Sequence, residues 1–283
     1  MQKKYKTPLY LALLSITFIT TSSIASHIWG DSHDKDDGGV AGYHWARDTS
    51  KVVTLTIQDS TSTNQWQTIV NSALDNWNLS NDITFNFSIE LSDADRSRRQ
   101  CKASNGQIRV CNYSYGIAKG WVGVAGLELD TDGHIIKGYT KLNDSFFDSQ
   151  IYGYDSYNWR LLVACQELGH DFGLGHQDEN FSTTTTPGTC MDYTNNPDAS
   201  TMPNYHDYET LGLIYDHNDT ETIGGGGGCK APQGVGCNRA NNNSNNKSEW
   251  GMSRGRKGNS ETFIRITPDG IRHVTHVTWA NGF

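Results

Sequence analysis

Two hydrophobic periods alternate along the chain and mark most of its elements. From Lys51 to Ile57, Val, Leu and Ile alternate with Thr and Lys, the period of a half-buried strand. Trp66, Ile69, Val70, Ala73, Leu74 and Trp77 then recur at i, i+3, i+4, i+7, i+8 and i+11, which predicts an amphipathic helix with one buried stripe. Strand periodicity returns over Ile83–Ile89, Ile108–Tyr115, Val122–Leu129 and Ile135–Leu142, with Asp130-Thr131-Asp132-Gly133 as the hairpin turn between the last two. Residues 91–100 are charged and read as a solvated loop. Tyr157–Phe172 reads as a helix with Leu161, Cys165, Leu168 and Phe172 on one face and Gln166, Glu167 and His170 on another. His206–His217 supplies a last helix. Near the end, Thr262–Thr267, the turn Pro268-Asp269-Gly270 and Ile271–Trp279 read as a β-hairpin. A lone hairpin is marginal in water, so it is expected to dock on the main domain. His273 and His276 lie three apart on its second strand and are expected to point to opposite faces.

These elements predict an α+β (α/β-like) fold. A twisted mixed sheet carries a candidate active-site helix, a second long helix and a C-terminal helix, with a C-terminal hairpin added. Two stretches carry no such pattern. Residues 26–40 are polar and Asp-rich, a flexible acidic lead-in. Gly224–Gly228 and the Asn-rich 238–246 cannot build a core, which makes 221–248 a linker. The expected organisation is therefore 1–25, 26–40, a main domain over 41–220, the linker 221–248 and the hairpin segment 249–283.

The N-terminus shifts the picture toward export. Lys3, Lys4 and Lys6 precede an apolar run from Leu9 to Ile19, and small residues close it at Ser23-Ile24-Ala25. That is the layout of a secretory signal peptide cut after Ala25, and the run is short for a membrane span. Cleavage removes three lysines and no acids, which takes the net charge of −8 to −11. An acidic exported chain argues against a phosphate-backbone partner, and no nucleic-acid or membrane partner is expected after cleavage. Six cysteines in an oxidising compartment suggest three disulfides among 15 possible pairings. Local closeness favours Cys101–Cys111 and Cys229–Cys237, which leaves Cys165–Cys190.

Residues 165–178 read Cys-Gln-Glu-Leu-Gly-His-Asp-Phe-Gly-Leu-Gly-His-Gln-Asp. On a helix Gln166 and His170 are i and i+4, so their side chains can converge, and Glu167 can reach a water held there. Gly173 lets the chain leave the helix with positive φ, and the turn brings His176 back. A zinc site with an open position needs about three protein ligands and a nearby carboxylate.

These residues resemble the metzincin zinc endopeptidases, whose pattern is H-E-x-x-H-x-x-G-x-x-H followed by a Met-turn. Glu167, His170, Gly173 and His176 match it. Cys190-Met191-Asp192-Tyr193 resembles the Met-turn, with Met191 as the apolar floor beneath the metal. The likeness spans roughly residues 50–220 and is nearest to secreted bacterial matrixin-like proteins. It implies a metzincin-like zincin fold, Zn2+ held by His170, His176 and Gln166, Glu167 as general base, and Tyr193 aiding the transition state. The family has His where this chain has Gln166, a neutral and harder donor, which lowers the expected zinc affinity. Asp178, Tyr193 or a second water are the other candidates to complete the site. The expected function is a secreted, monomeric zinc endopeptidase acting on a protein or peptide substrate. The alternative is a metzincin-fold secreted binding protein with weak or no activity. No Cys precedes Cys101, so no N-terminal thiol is expected to block the metal.

Overall fold

The computed structural model describes residues 43–47, 52–177, 188–216, 219 and 247–283. The expected signal peptide, acidic lead-in, most of the linker, Asp178 and the pair Cys229 and Cys237 lie outside the described residues. In chain order the elements are β1 (Val52–Ser60), α1 (Asn64–Trp77), β2 (Thr84–Leu91), α2 (Asp95–Gln100), β3 (Gln107–Tyr113), β4 (Trp121–Leu129), β5 (Ile135–Asn143), α3 (Asp144–Phe147), α4 (Tyr157–Asp171), α5 (Tyr205–Ile214), β6 (Met252–Lys257), β7 (Ser260–Ile266) and β8 (Arg272–Trp279).

One eight-stranded sheet runs in the order β2-β1-β3-β5-β4-β8-β7-β6. The pairs β1–β2, β1–β3 and β3–β5 are parallel, and the rest are antiparallel. This is the expected mixed α+β architecture. The C-terminal hairpin does dock, and it does so by continuing the sheet: β8 lies antiparallel along β4 from Trp121↔Trp279 to Leu129↔Arg272. A third strand, β6, was not foreseen; all six of its residues are exposed, so no alternation marks it. The charged stretch expected to be loop contains α2, a short helix with no buried residue.

The helix stripe on α1 is as the spacing requires. Its six apolar residues are all buried, and Thr63 caps its first turn by accepting from the Trp66 amide. They pack with Val53, Leu55 and Ile57 of β1 and with α4 in the larger core. Each such side chain contributes about 1.5–3 kcal/mol by leaving water. On the other sheet face a smaller core joins Trp121, Val124 and Tyr139 to Trp250, Phe263, Val277 and Trp279, so the C-terminal strands are held by burial as well as by the ladder.

A lysine sits in this second layer. Lys141 of β5 is fully buried, its ammonium 4.9 Å from the Tyr139 ring centre and 5.8 Å from that of Tyr115. The rings favour the charged form, but desolvation wins and lowers its pKa to about 7. An unfolded lysine keeps its proton to about pH 10. Between those values the unfolded chain binds the extra proton, so stability rises with pH, by about 1.4 kcal/mol per unit for one proton. Lys141→Met is expected to abolish that rise. Urea unfolding at pH 7, 8 and 9 checks it, and an unchanged pH slope in the variant would refute it.

Candidate functional site

Helix α4 carries the site. Ser156 starts it by accepting from the Trp159 amide, and residues Arg160 through Asp171 are all buried. Burial on every side differs from the two-faced helix that its sequence suggests. The Cys165 side meets α1, where Trp77 Nε1 donates to the Cys165 carbonyl at 3.0 Å. The Gln166 side packs on β4, where a Cβ on Gly123 would strike Glu167, and meets Thr278 of β8.

Gly173 ends the helix with φ of 103°, a conformation that favours glycine. A Cβ there would also strike the Tyr43 carbonyl oxygen. The turn it makes brings His176 back to His170, with their Nε2 atoms 3.1 Å apart. His170 Nδ1 is 2.8 Å from the Leu174 carbonyl, so it must be the protonated nitrogen and leaves Nε2 as a lone pair. Tyr193 places its hydroxyl 3.3 Å from His176 Nδ1. As a neutral ring, His176 has two consistent states. It donates from Nε2 to His170, or it donates from Nδ1 to Tyr193 and both Nε2 lone pairs share a cation. Two nitrogens at 2.0–2.1 Å from a tetrahedral zinc stand about 3.3 Å apart, close to the observed spacing.

Met191 and Cys190 lie against the same helix. Cys165 and Cys190 form a disulfide, as expected, and so do Cys101 and Cys111. The first closes 25 residues, worth about 3 kcal/mol in the chain-entropy view, and ties the helix to the segment bearing Tyr193. Gly169 gives Met191 its seat, since a Cβ there would fall on the Met191 sulfur and the Trp77 ring.

Gln166 and Glu167 meet at Thr278 of β8. The Thr278 hydroxyl lies 3.0 Å from Gln166 Oε1 and 2.7 Å from Glu167 Oε1, and Gln166 Nε2 donates to the Asp192 carbonyl at 3.2 Å. One hydroxyl has one proton, so Thr278 donates to one of these two oxygens at a time. Burial pushes the Glu167 pKa up to about 8, with the Thr278 and Ala125 hydrogen bonds opposing. Glu167 Oε2 is buried with no hydrogen-bond partner among the described residues. Burial lowers His170 to about 4, so its ring is neutral and able to ligate.

His276 was not foreseen as a neighbour of the site. Its ring stacks on His170 with centres 4.3 Å apart, and its nitrogens lie 2.9 Å from the Tyr43 hydroxyl and 3.2 Å from Thr262 Oγ1. His273, on the opposite side of β8, lies 4.0 Å from Glu128 instead. Gln166, Glu167, His170, His176, Met191 and Tyr193 are each at most 4% exposed. A small pocket beside them is lined by Leu162, Gln166, Tyr193, Thr194, Thr278 and Trp279.

His170 and His176 are thus brought together, with Tyr193 against His176. Gln166 keeps its amide on Thr278 and Asp192, and the position of Asp178 is outside the described residues. One other buried group, His44, His134 and Asp219, could hold a metal ion; among the described residues it alone gathers three His, Cys, Asp or Glu ligand atoms within 4.8 Å. No helix among the described residues is long and apolar enough to cross a membrane. No protein-family model matches the chain, and no curated protein matches it.

Proposed function

We propose that this protein is an exported zinc-dependent endopeptidase whose site lies closed beneath its own C-terminal strand. The observation that carries the reading is the pair of imidazoles, His170 and His176, with Nε2 atoms 3.1 Å apart beside a helix that also presents the buried carboxyl of Glu167. His170 and His176 are the residues that would hold the metal, and Gln166 Oε1 can join them when Thr278 lets go. Zinc, when bound, supplies a Lewis acid for the peptide carbonyl and makes water acidic near pH 7.

The chain's own groups do the rest. Glu167 takes a proton from the attacking water and returns it to the leaving amine nitrogen. The Tyr193 hydroxyl fixes the His176 ring through Nδ1 and lies where it can donate to the developing oxyanion. Burial keeps Glu167 protonated near neutral pH while β8 is in place, against the Thr278 hydrogen bond, and withdrawal of β8 returns the carboxyl to water and to an ordinary carboxylate pKa. A protein or peptide segment is the substrate, and the protein acts as a monomer.

A second reading, a secreted protein that binds peptides without cleaving them, is favoured by the engagement of Gln166 with Thr278 and Asp192. Zinc analysis of the full-length chain, with casein and a mixed peptide library as substrates, separates the two. Cleavage abolished by chelation and restored by zinc is the expected result. A zinc-loaded protein that cleaves neither substrate would leave the binding reading.

A further inference from the structure

Away from α4, three distant segments of the chain meet at one buried point. His44 precedes β1, His134 begins the return from the β4–β5 turn, and Asp219 follows α5. His44 Nε2 lies 3.2 Å from Asp219 Oδ2, and His134 Nε2 lies 3.1 Å from Asp219 Oδ1. The side chains of His44, His134 and Asp219 are 0%, 10% and 5% exposed. We propose that His44, His134 and Asp219 form a structural metal site, separate from the α4 pair, that takes Zn2+ or a similar first-row divalent cation and clamps the N-terminal segment to the far end of the domain.

The donor set chooses the cation. Two imidazoles and one carboxylate suit zinc and its neighbours, whereas calcium and magnesium require mostly oxygen ligands. Ligand atoms on a tetrahedral zinc stand about 3.3 Å apart, near each nitrogen–oxygen spacing, the two being to different oxygens of Asp219, while one ligand atom from each of the three residues lies within 4.8 Å of the others. The surroundings orient each ligand. His134 Nδ1 lies 3.3 Å from Asp130 Oδ2, and Asp130 Oδ1 is held by the Asp132 and His134 amides at 2.9 and 2.8 Å. A carboxylate on the far nitrogen is the usual means of turning the other imidazole nitrogen toward a metal. Asp219 Oδ2 accepts from the Arg47 amide at 2.9 Å. The His44 backbone is pinned as well, its carbonyl accepting from the Ile135 amide at 2.6 Å.

The clamp bears on the α4 site at one remove. It fixes residues 43–47, and Tyr43 within them packs its carbonyl against Gly173 and sets its hydroxyl on His276 beside His170. A proton is the competing occupant, since an imidazolium His134 between Asp130 and Asp219 satisfies the same distances.

Zinc bound per full-length chain after dialysis, for the wild type and for Asp219→Asn, His44→Gln and His176→Asn, decides between them. Asp219→Asn and His44→Gln are each expected to lose one equivalent through at least a hundredfold weaker binding, on the scale of removing a ligand. His176→Asn is expected to keep that equivalent. Chelation should lower the melting temperature of the wild type and of His176→Asn, and lower that of Asp219→Asn much less. If Asp219→Asn fails to fold, Asp130→Asn serves instead, with an expected loss of about 10–100-fold in zinc affinity. Wild-type zinc content in Asp219→Asn and His44→Gln, or loss of all zinc in His176→Asn, would overturn the proposal. Zinc kept by His176→Asn at the full wild-type level would instead uphold the clamp and count against metal at α4.

Discussion

Glu167→Gln is expected to leave folding and zinc content at wild-type levels and to lower peptide hydrolysis at least about a hundredfold, the usual scale for a lost general base. The substitution is nearly isosteric, so the packing of a fully buried side chain is kept. The amide oxygen can still accept from Thr278, whose hydroxyl then chooses between Gln166 and residue 167. What disappears is the ability to take a proton. kcat/KM on a fluorogenic peptide, measured beside zinc content, reads both quantities. Lost zinc in the variant would make Glu167 a ligand, and undiminished hydrolysis would remove it from the mechanism.

A cysteine pair across the β4–β8 ladder is expected to abolish the proposed peptide hydrolysis. Val124 and Val277 are register partners, and residue 277 adjoins Thr278. With Val124→Cys and Val277→Cys oxidised to a disulfide, β8 cannot part from β4, and the motif stays at most 4% exposed. Cleavage should fall by more than about tenfold in the oxidised form and return on mild reduction, as for a closed lid that gates turnover. Each single variant should cleave like the wild type, and reductant should be limited so that the buried Cys165–Cys190 bond survives. Equal rates in the oxidised and reduced forms would show that substrate enters without β8 moving, and would direct attention to the pocket beside Gln166 and Tyr193.

The local code was legible wherever a pattern is repeated within one element. The stripe on α1 matches its buried residues one for one, because a 3.6-residue period and a single neighbouring core leave no other face to bury. The convergence of His170 and His176 was legible too, because helix spacing and a glycine with positive φ fix it within seven residues. Elements without an apolar face were not legible. The exposed β6 has Met252 as its one large apolar residue and α2 has none, and neither period can arise from them. Thr278 and His276 were missed for another reason. Strand alternation tells which residues share a face, but nothing in it tells which strand edge that face will lie against.

What the sequence alone determined is thus the elements with an apolar face, the mixed α+β class, the pairing of Cys165 with Cys190 and the core of the α4 constellation. Each follows from short-range periodicity or, for the disulfide, from the local closeness of the other four cysteines. Tertiary structure alone decided that β8 continues the sheet along β4, that Thr278 takes hold of Gln166 and Glu167, and that His44, His134 and Asp219 meet. Those contacts join residues 85 to 175 positions apart. At such separations the hydrophobic pattern specifies that a surface must be buried, and only the packed chain specifies by what.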